Sequence, residues 1–269
     1  MVYHFYKLSL FYVLVIIVAL CYHESKGKRR KMMIIAHRGA SAYAPENTFA
    51  AFDKAVELHA DFLELDVQMN RDRELVVIHD TTLDRTTDAT GPVKQVTNKA
   101  LRYIDAGSWF DRAFYRERIP KLTDVLDRYS GKIGLLLELK NPSLYPGIEK
   151  KLAKLLKKYH HKQTKQAPFI VQSFEHQSIQ TFHKLLPSIL TAVLIRFDAS
   201  MNLFDMKSFS SYANGINPYF STIDENLIDM ARRFGMNVFA WTVNDRAIAQ
   251  YLESIGVDGI VTNYPDLMG

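Results

Sequence analysis

From residue 32 to the end, short apolar stretches alternate with amphipathic helical ones, and this alternation restricts the fold more than any other feature of the chain. Strand patterns occur at 33–37, 62–69, 76–80, 134–140, 169–173, 191–197, 216–217, 237–244 and 259–263. Helical patterns occur at 45–60, where Pro45 and Glu46 are read as first-turn residues, and at 121–129, 148–160, 176–186, 225–234 and 246–255. Apolar, β-branched strands separated mostly by helices suit a parallel sheet covered on both sides. About eight such strands in 269 residues suit an α/β fold of the (β/α)8 barrel type. A doubly wound sheet is disfavoured, because no Gly-x-Gly-x-x-Gly turn opens a helix. The polar stretch 81–120, with Trp109, Phe110, Phe114 and Tyr115, breaks the rhythm and is an excursion from the scaffold.

The formal charge of +5 resides outside this pattern. Residues 1–33 hold six of the 34 basic side chains and one of the 29 acidic ones, so the remainder holds 28 of each and is neutral. Nothing there resembles a nucleic-acid footprint. The single cysteine, Cys21, excludes an intrachain disulfide framework and a cysteine-based zinc site. Residues 8–22 form an apolar run shorter than the roughly 20 residues that comfortably span a bilayer. The run suits a signal-peptide core, whereas the basic cluster at 26–31 resists export and is attracted to anionic lipid. Residues 1–31 are therefore expected to be a signal or membrane-anchor segment and 32–269 the barrel domain. The protein would be membrane-associated, or secreted if that segment is cleaved, with the side of the membrane left open.

Within the strand 62–69, alternation puts Leu63, Leu65 and Val67 on one face and Glu64, Asp66 and Gln68 on the other. Two carboxylates about 7 Å apart then point the same way. Such neighbours repel, and a hard divalent cation such as Ca²⁺ or Mg²⁺ removes the repulsion by binding both. In a barrel of this kind the active site forms at the C-terminal strand ends. Read in order, those ends carry His37 and Arg38, Glu64 and Asp66, His79, Glu138 and Lys140, Gln172 and Ser173, Asn217, Trp241 and Asn244, and Asn263. Glu138 would supply a third carboxylate to the cation. Three carboxylates on a cation, two histidines, an arginine and a lysine match the needs of phosphodiester cleavage. The other histidines (4, 23, 59, 160, 161, 176 and 183) are read as surface or packing residues. Asp80, Asp84 and Arg85 are read as turn and salt-bridge residues.

The segments His37–Arg38–Gly39–Ala40, Pro45–Glu46–Asn47–Thr48, Glu64–Leu65–Asp66–Val67, Val77–Ile78–His79–Asp80 and Leu137–Glu138–Leu139–Lys140 resemble those of the glycerophosphodiester phosphodiesterases. Gln172–Ser173–Phe174 and Trp241–Thr242–Val243–Asn244 also fit, and the resemblance runs in order from about residue 33 to the end. It implies a TIM barrel with a small insertion after the second strand, at about 81–120. It further implies that Glu64, Asp66 and Glu138 bind Ca²⁺ or Mg²⁺, and that His37 and His79 are the acid/base pair. Arg38 and Lys140 would contact phosphate with Asn47 nearby, and Gln172 and Trp241 would contact substrate. The expected reaction is hydrolysis of a small-molecule glycerophosphodiester to an alcohol and sn-glycerol 3-phosphate. Two other readings are a phospholipase D-like lyase that takes lysophospholipids to a cyclic phosphate, and a phosphodiester-binding protein without turnover. Head group, native metal and oligomeric state are not readable from the chain.

Overall fold

The computed structural model describes residues 31–165, 167–199 and 201–268. The expected anchor at 1–31 lies outside these apart from its last residue. Among the described residues no helix is long and apolar enough to cross a membrane.

The strands are β1 (Met33–Ala36), β2 (Phe62–Met69), β3 (Leu75–Val77), β4 (Gly134–Leu139), β5 (Phe169–Ser173), β6 (Leu190–Ile195), β7 (Gly215–Pro218), β8 (Asn237–Ala240) and β9 (Gly259–Thr262). Interleaved with them are α1 (Phe49–Glu57), α2 (Asn98–Leu101), α3 (Leu122–Tyr129), α4 (Ile148–Tyr159), α5 (His176–Leu185), α6 (Leu203–Phe209), α7 (Glu225–Arg233) and α8 (Arg246–Ile255). All strands except β3 pair in parallel, in the order β1-β9-β8-β7-β6-β5-β4-β2, and β1 pairs with β2 to close the ring. This is the expected TIM barrel.

Register explains which residues meet inside it. Ile35, Phe62, Leu136, Ile170, Ala192, Phe239 and Val261, from seven different strands, form one cluster in the barrel interior. Gly134 is required there, because a Cβ on it would come within 2.4 Å of the Phe62 ring. Further along β2, β4 and β5 the interior turns polar: Asp66 sits opposite Glu138, and Glu138 opposite Gln172. Alternate strand residues, including Leu63, Leu65, Val67, Leu135 and Leu137, join the outer core together with buried residues of the helices. Burying a Leu-sized side chain stabilises the fold by about 1.5–3 kcal/mol.

β3 folds back antiparallel on β2, with Val67 opposite Val77. The insertion follows it and has its own small core of Val76, Ile78, Leu83, Val93, Val96, Leu101, Ile104, Ala106 and Ile119. The Asp105 carboxylate accepts from the backbone N–H groups of Gly107, Ser108 and Arg116 at 2.6–3.0 Å, so this stretch is an organised module.

Some boundaries differ from the sequence expectation. The helix expected from 45 begins at Phe49 with Thr48 as its cap, because Asn47 takes a left-handed φ of 58° that a helix cannot hold. The strand expected over 76–80 ends at Val77, which frees His79 to face the barrel mouth. Between β6 and β7 a short helix, α6, stands where no regular element was read; Asn202 and Asp205 cap it reciprocally.

Candidate active site

The carboxylates of Glu64, Asp66 and Glu138 are buried, and each offers an oxygen within 4.8 Å of the others. Burial, and the charges of Asp66 and Glu138, push the Glu64 carboxyl well above the ordinary range. Burial also raises Glu138 to about 7, although Lys140 opposes it. Burial works against Asp66 too, but Arg38, Lys140, His79 and Asn47 outweigh it and hold its carboxyl below the usual value. Two of three clustered carboxyls therefore resist ionisation, and nothing but oxygen is offered to a ligand. That donor set fits a hard divalent cation, which removes the repulsion.

The turn after β1 is built to meet these groups. Arg38 adopts a left-handed φ of 57° and donates its backbone N–H to Glu64 Oε2 at 2.9 Å. A non-glycine residue held there costs about 1–3 kcal/mol, which the surrounding bonds must offset. Next comes Gly39, with φ 84°, where a Cβ would strike the Ala51 backbone at 2.7 Å, so only glycine lets the turn lie on α1. Arg38 Nη1 donates to Glu46 Oε1 at 2.8 Å, and its Nε lies 3.4 Å from Asp66 Oδ2. Asn47 Nδ2 donates to the same Asp66 oxygen at 2.8 Å. Asn47 thus orients a carboxylate of the cluster.

Each expected histidine has a partner on Nδ1. His37 Nδ1 lies 2.7 Å from Asn263 Oδ1, and His79 Nδ1 lies 2.6 Å from Asp80 Oδ1. Oxygen acceptors at both Nδ1 atoms put the proton there and leave Nε2 as the working nitrogen. Burial and the neighbouring Arg38 lower His37 to about 4, so it is neutral near pH 7. His79 is also lowered, chiefly by burial, with Arg38 and Lys140 adding to it and Asp66 and Asp80 opposing. Lys140 Nζ reaches Glu138 Oε1 at 2.8 Å and His79 Nε2 at 3.2 Å.

His37, Arg38, Glu64, His79, Glu138, Lys140, Gln172 and Trp241 line a common pocket of about 90 Å³, so the structure brings nearly all the expected residues together. Gln172 accepts from Asn217 Nδ2 at 2.6 Å, and Trp241 Nε1 donates to the Asn217 carbonyl at 2.7 Å. A larger cleft of about 670 Å³ opens beside the pocket, sharing Glu138, Lys140, Phe174 and Trp241 and adding Phe197 and Tyr219.

Three contributors were not read as site residues. Asp80 does form a salt bridge with Arg85, as expected, but it also holds His79; its place directly after His79 was the available signal. Glu46, read as a helix residue, pairs with Arg38. Gln68 donates to the carbonyls of Ile78, His79 and Asp80 and accepts from Tyr145 at 2.6 Å, pinning the turn that carries His79. His176, read as a packing residue, contacts the Leu194 carbonyl and the Phe209 ring edge.

Comparison with known proteins agrees with this geometry. The glycerophosphoryl diester phosphodiesterase family profile matches residues 37–267. YhdW of Bacillus subtilis (strain 168), a candidate glycerophosphodiester phosphodiesterase, is 50% identical over 238 residues, covering 88% of this chain and 96% of its own. A glycerophosphodiester phosphodiesterase from the same strain is 37% identical over 249 residues, covering 88% of this chain and 85% of its own. Among solved structures, a phosphodiesterase from Oleispira antarctica in complex with the product sn-glycerol-3-phosphate superposes with a TM-score of 0.76 at 28% identity, covering 87% of this chain and 94% of that one. The profile, the relatives and the barrel with its polar mouth agree: this chain belongs to the glycerophosphoryl diester phosphodiesterase family and is a glycerophosphodiester phosphodiesterase.

Proposed function

We propose that the enzyme hydrolyses glycerophosphodiesters to an alcohol and sn-glycerol 3-phosphate, using a divalent cation held by Glu64, Asp66 and Glu138 and proton transfer by His37 and His79. The observation that carries this reading is the meeting of both histidines with Arg38, Lys140, Glu64 and Glu138 in one small pocket. The product held by the Oleispira antarctica phosphodiesterase supports the substrate class.

When bound, the cation, Ca²⁺ or Mg²⁺, supplies positive charge that stabilises the phosphoryl oxygens as charge develops. The chain's own residues do the rest. Arg38 and Lys140 present two cations to the phosphate, Asn47 keeps Asp66 oriented, and Gln172 and Trp241 bound the substrate. His37, neutral because of its lowered value, takes the proton from the glycerol 2-hydroxyl as that oxygen attacks phosphorus. The bond from phosphorus to the alcohol oxygen breaks, and His79 gives that oxygen a proton. The Asp80 carboxylate on Nδ1 favours the charged imidazole that this role needs. Water then opens the cyclic phosphate with the roles reversed: His79 accepts a proton from the water and His37 returns one to the 2-oxygen. The sum is one water consumed, one alcohol and one phosphomonoester released.

A second reading stops at the cyclic phosphate, with a lysophospholipid as substrate. The aromatic cleft beside the pocket favours it, because Phe174, Phe197, Tyr219 and Trp241 give an acyl chain an apolar wall. A protein that only binds phosphodiesters needs no paired histidines. Membrane contact through the N-terminal segment belongs to the same proposal and is supported by the apolar run and basic cluster there.

The test is glycerol 3-phosphate release from glycerophosphocholine and glycerophosphoethanolamine with Ca²⁺, with Mg²⁺ and with a chelator. Metal-dependent release is expected. A persistent cyclic phosphate in phosphorus NMR would favour the lyase, and binding without turnover under every condition would overturn both.

A further inference from the structure

Arg85 lies in the insertion, outside the residues that line the pocket, yet it spans two carboxylates that each hold a site residue. Its Nη1 and Nη2 donate to Glu46 Oε2 and Oε1, both at 2.8 Å. Its Nε and Nη2 donate to Asp80 Oδ2 and Oδ1 at 2.7 and 3.0 Å. Glu46 Oε1 also accepts from Arg38 Nη1 at 2.8 Å, and Asp80 Oδ1 receives His79 Nδ1 at 2.6 Å. An unbroken chain therefore runs Arg38–Glu46–Arg85–Asp80–His79, linking the β1 turn, the loop before α1 and the insertion.

We propose that Arg85 is a positioning residue for the hydrolysis: by gripping Glu46 and Asp80 at once it fixes Arg38 and His79 relative to each other. The inference rests on the roles given to Arg38 and His79 in the proposed function. Stability alone is a poor explanation for the network. The Arg85 side chain is 44% exposed, so solvent screens part of its attraction to the two carboxylates. The geometry instead uses what distinguishes arginine from lysine, a rigid planar fork that meets two carboxylates at fixed angles. Arg85 also works with Arg38 to hold the Glu46 carboxyl below the ordinary range against its burial, and it contributes most to holding the Asp80 carboxyl below its usual value. Both links thus remain charged throughout the neutral range.

The experiment compares the full chain with Arg85→Ala, Arg85→Lys and His79→Ala on glycerophosphocholine, with metal present. Removing the fork lets Arg38 and His79 drift, and displacements on the order of 1 Å cost up to about 100-fold in rate, so kcat/KM of Arg85→Ala should fall about 10- to 100-fold with the melting temperature little changed. Millimolar guanidinium should restore much of the loss, because it can enter the vacated fork, while urea at equal concentration should not. Arg85→Lys keeps the charge but cannot bridge both carboxylates, so it should share the loss and serve if the alanine variant folds poorly. Wild-type kcat/KM in a folded Arg85→Ala or Arg85→Lys protein would overturn the role of Arg85. So would a loss that follows melting temperature and is deaf to guanidinium. An inactive wild type, or an active His79→Ala, would instead overturn the underlying reading of the site.

Discussion

Lys140 Nζ lies 3.2 Å from His79 Nε2, on the side of the ring opposite Asp80. A cation there lowers the imidazole, and Lys140 does so in concert with burial and Arg38. If His79 is the acid, it must carry a proton to act, and activity falls as pH rises through its value. Lys140→Met removes a cation that depresses that value. The falling limb of the kcat profile should therefore move to higher pH, while kcat/KM drops because a phosphate contact is lost. A falling limb that stays in place or moves down would take the acid role away from His79.

The carboxyl cluster predicts how metal and pH act together on stability. Without a cation, Glu64 and Glu138 are raised above their unfolded value of 4.5. Each contributes stability that is full below that value and is lost as pH rises through the folded one, about 7 for Glu138. His37 runs the other way: lowered from 6.5 to about 4, it contributes stability that is present above 6.5 and lost as pH falls towards 4. The two trends offset each other below 6.5 and leave the carboxyls dominant above it. A divalent cation competes with the protons on Glu64 and Glu138, so the rise in melting temperature on adding Ca²⁺ or Mg²⁺ should grow from pH 5.5 to 8. Calorimetry in chelator and in metal would check this, and an equal rise at both ends would remove metal from the cluster. Glu64→Gln should abolish most of the rise at every pH.

The barrel and the carboxylate cluster were legible because period-two alternation is a local property. Glu64 and Asp66 share a face in any strand, and the polar strand ends fall at one mouth once the strands are parallel. The links between these residues were legible only in part. Asp80 stands directly after His79 and pairs with Arg85 five residues on, both local relations, but the reach of Arg85 to Glu46, 39 residues away, is announced by nothing in local spacing. The start of α1 was misplaced for a related reason. Pro45 and Glu46 are good first-turn residues, but the bond from Asn47 to Asp66 and the donation from Asn47 N–H to the Arg38 carbonyl draw that turn into the site. The short α6 escaped because seven residues give too little periodicity to read.

Trp241 offers a test of the cleft. Its ring meets Phe174 and Tyr219 edge-on, each with a centroid separation of 5.3 Å, and its indole N–H is anchored on the Asn217 carbonyl. Edge-on aromatic pairs contribute about 0.5–1.5 kcal/mol beyond their buried area, so Trp241→Ala should loosen this wall without unfolding the barrel. With glycerophosphodiesters KM should rise about tenfold and kcat change less, the pattern of lost ground-state binding. Trp241→Phe should fall between. An unchanged KM in the alanine variant would remove Trp241 from the substrate wall.

The insertion should fail before the barrel does. Leu83 is 2% exposed within a small cluster separate from the main core, two residues before Arg85. Leu83→Ala should destabilise that module by about 2–5 kcal/mol, the usual range for a buried leucine. The barrel interior and its outer shell keep their own contacts. Activity should therefore vanish on heating well below the temperature at which far-ultraviolet circular dichroism reports loss of the barrel, because opening the module releases Asp80 and with it the orientation of His79. Phe182→Ala, in the outer shell packed on the sheet, should lower both midpoints together. If Leu83→Ala also moved the two midpoints in step, the insertion would be melting as one unit with the barrel, and the separation of its core would have no energetic consequence.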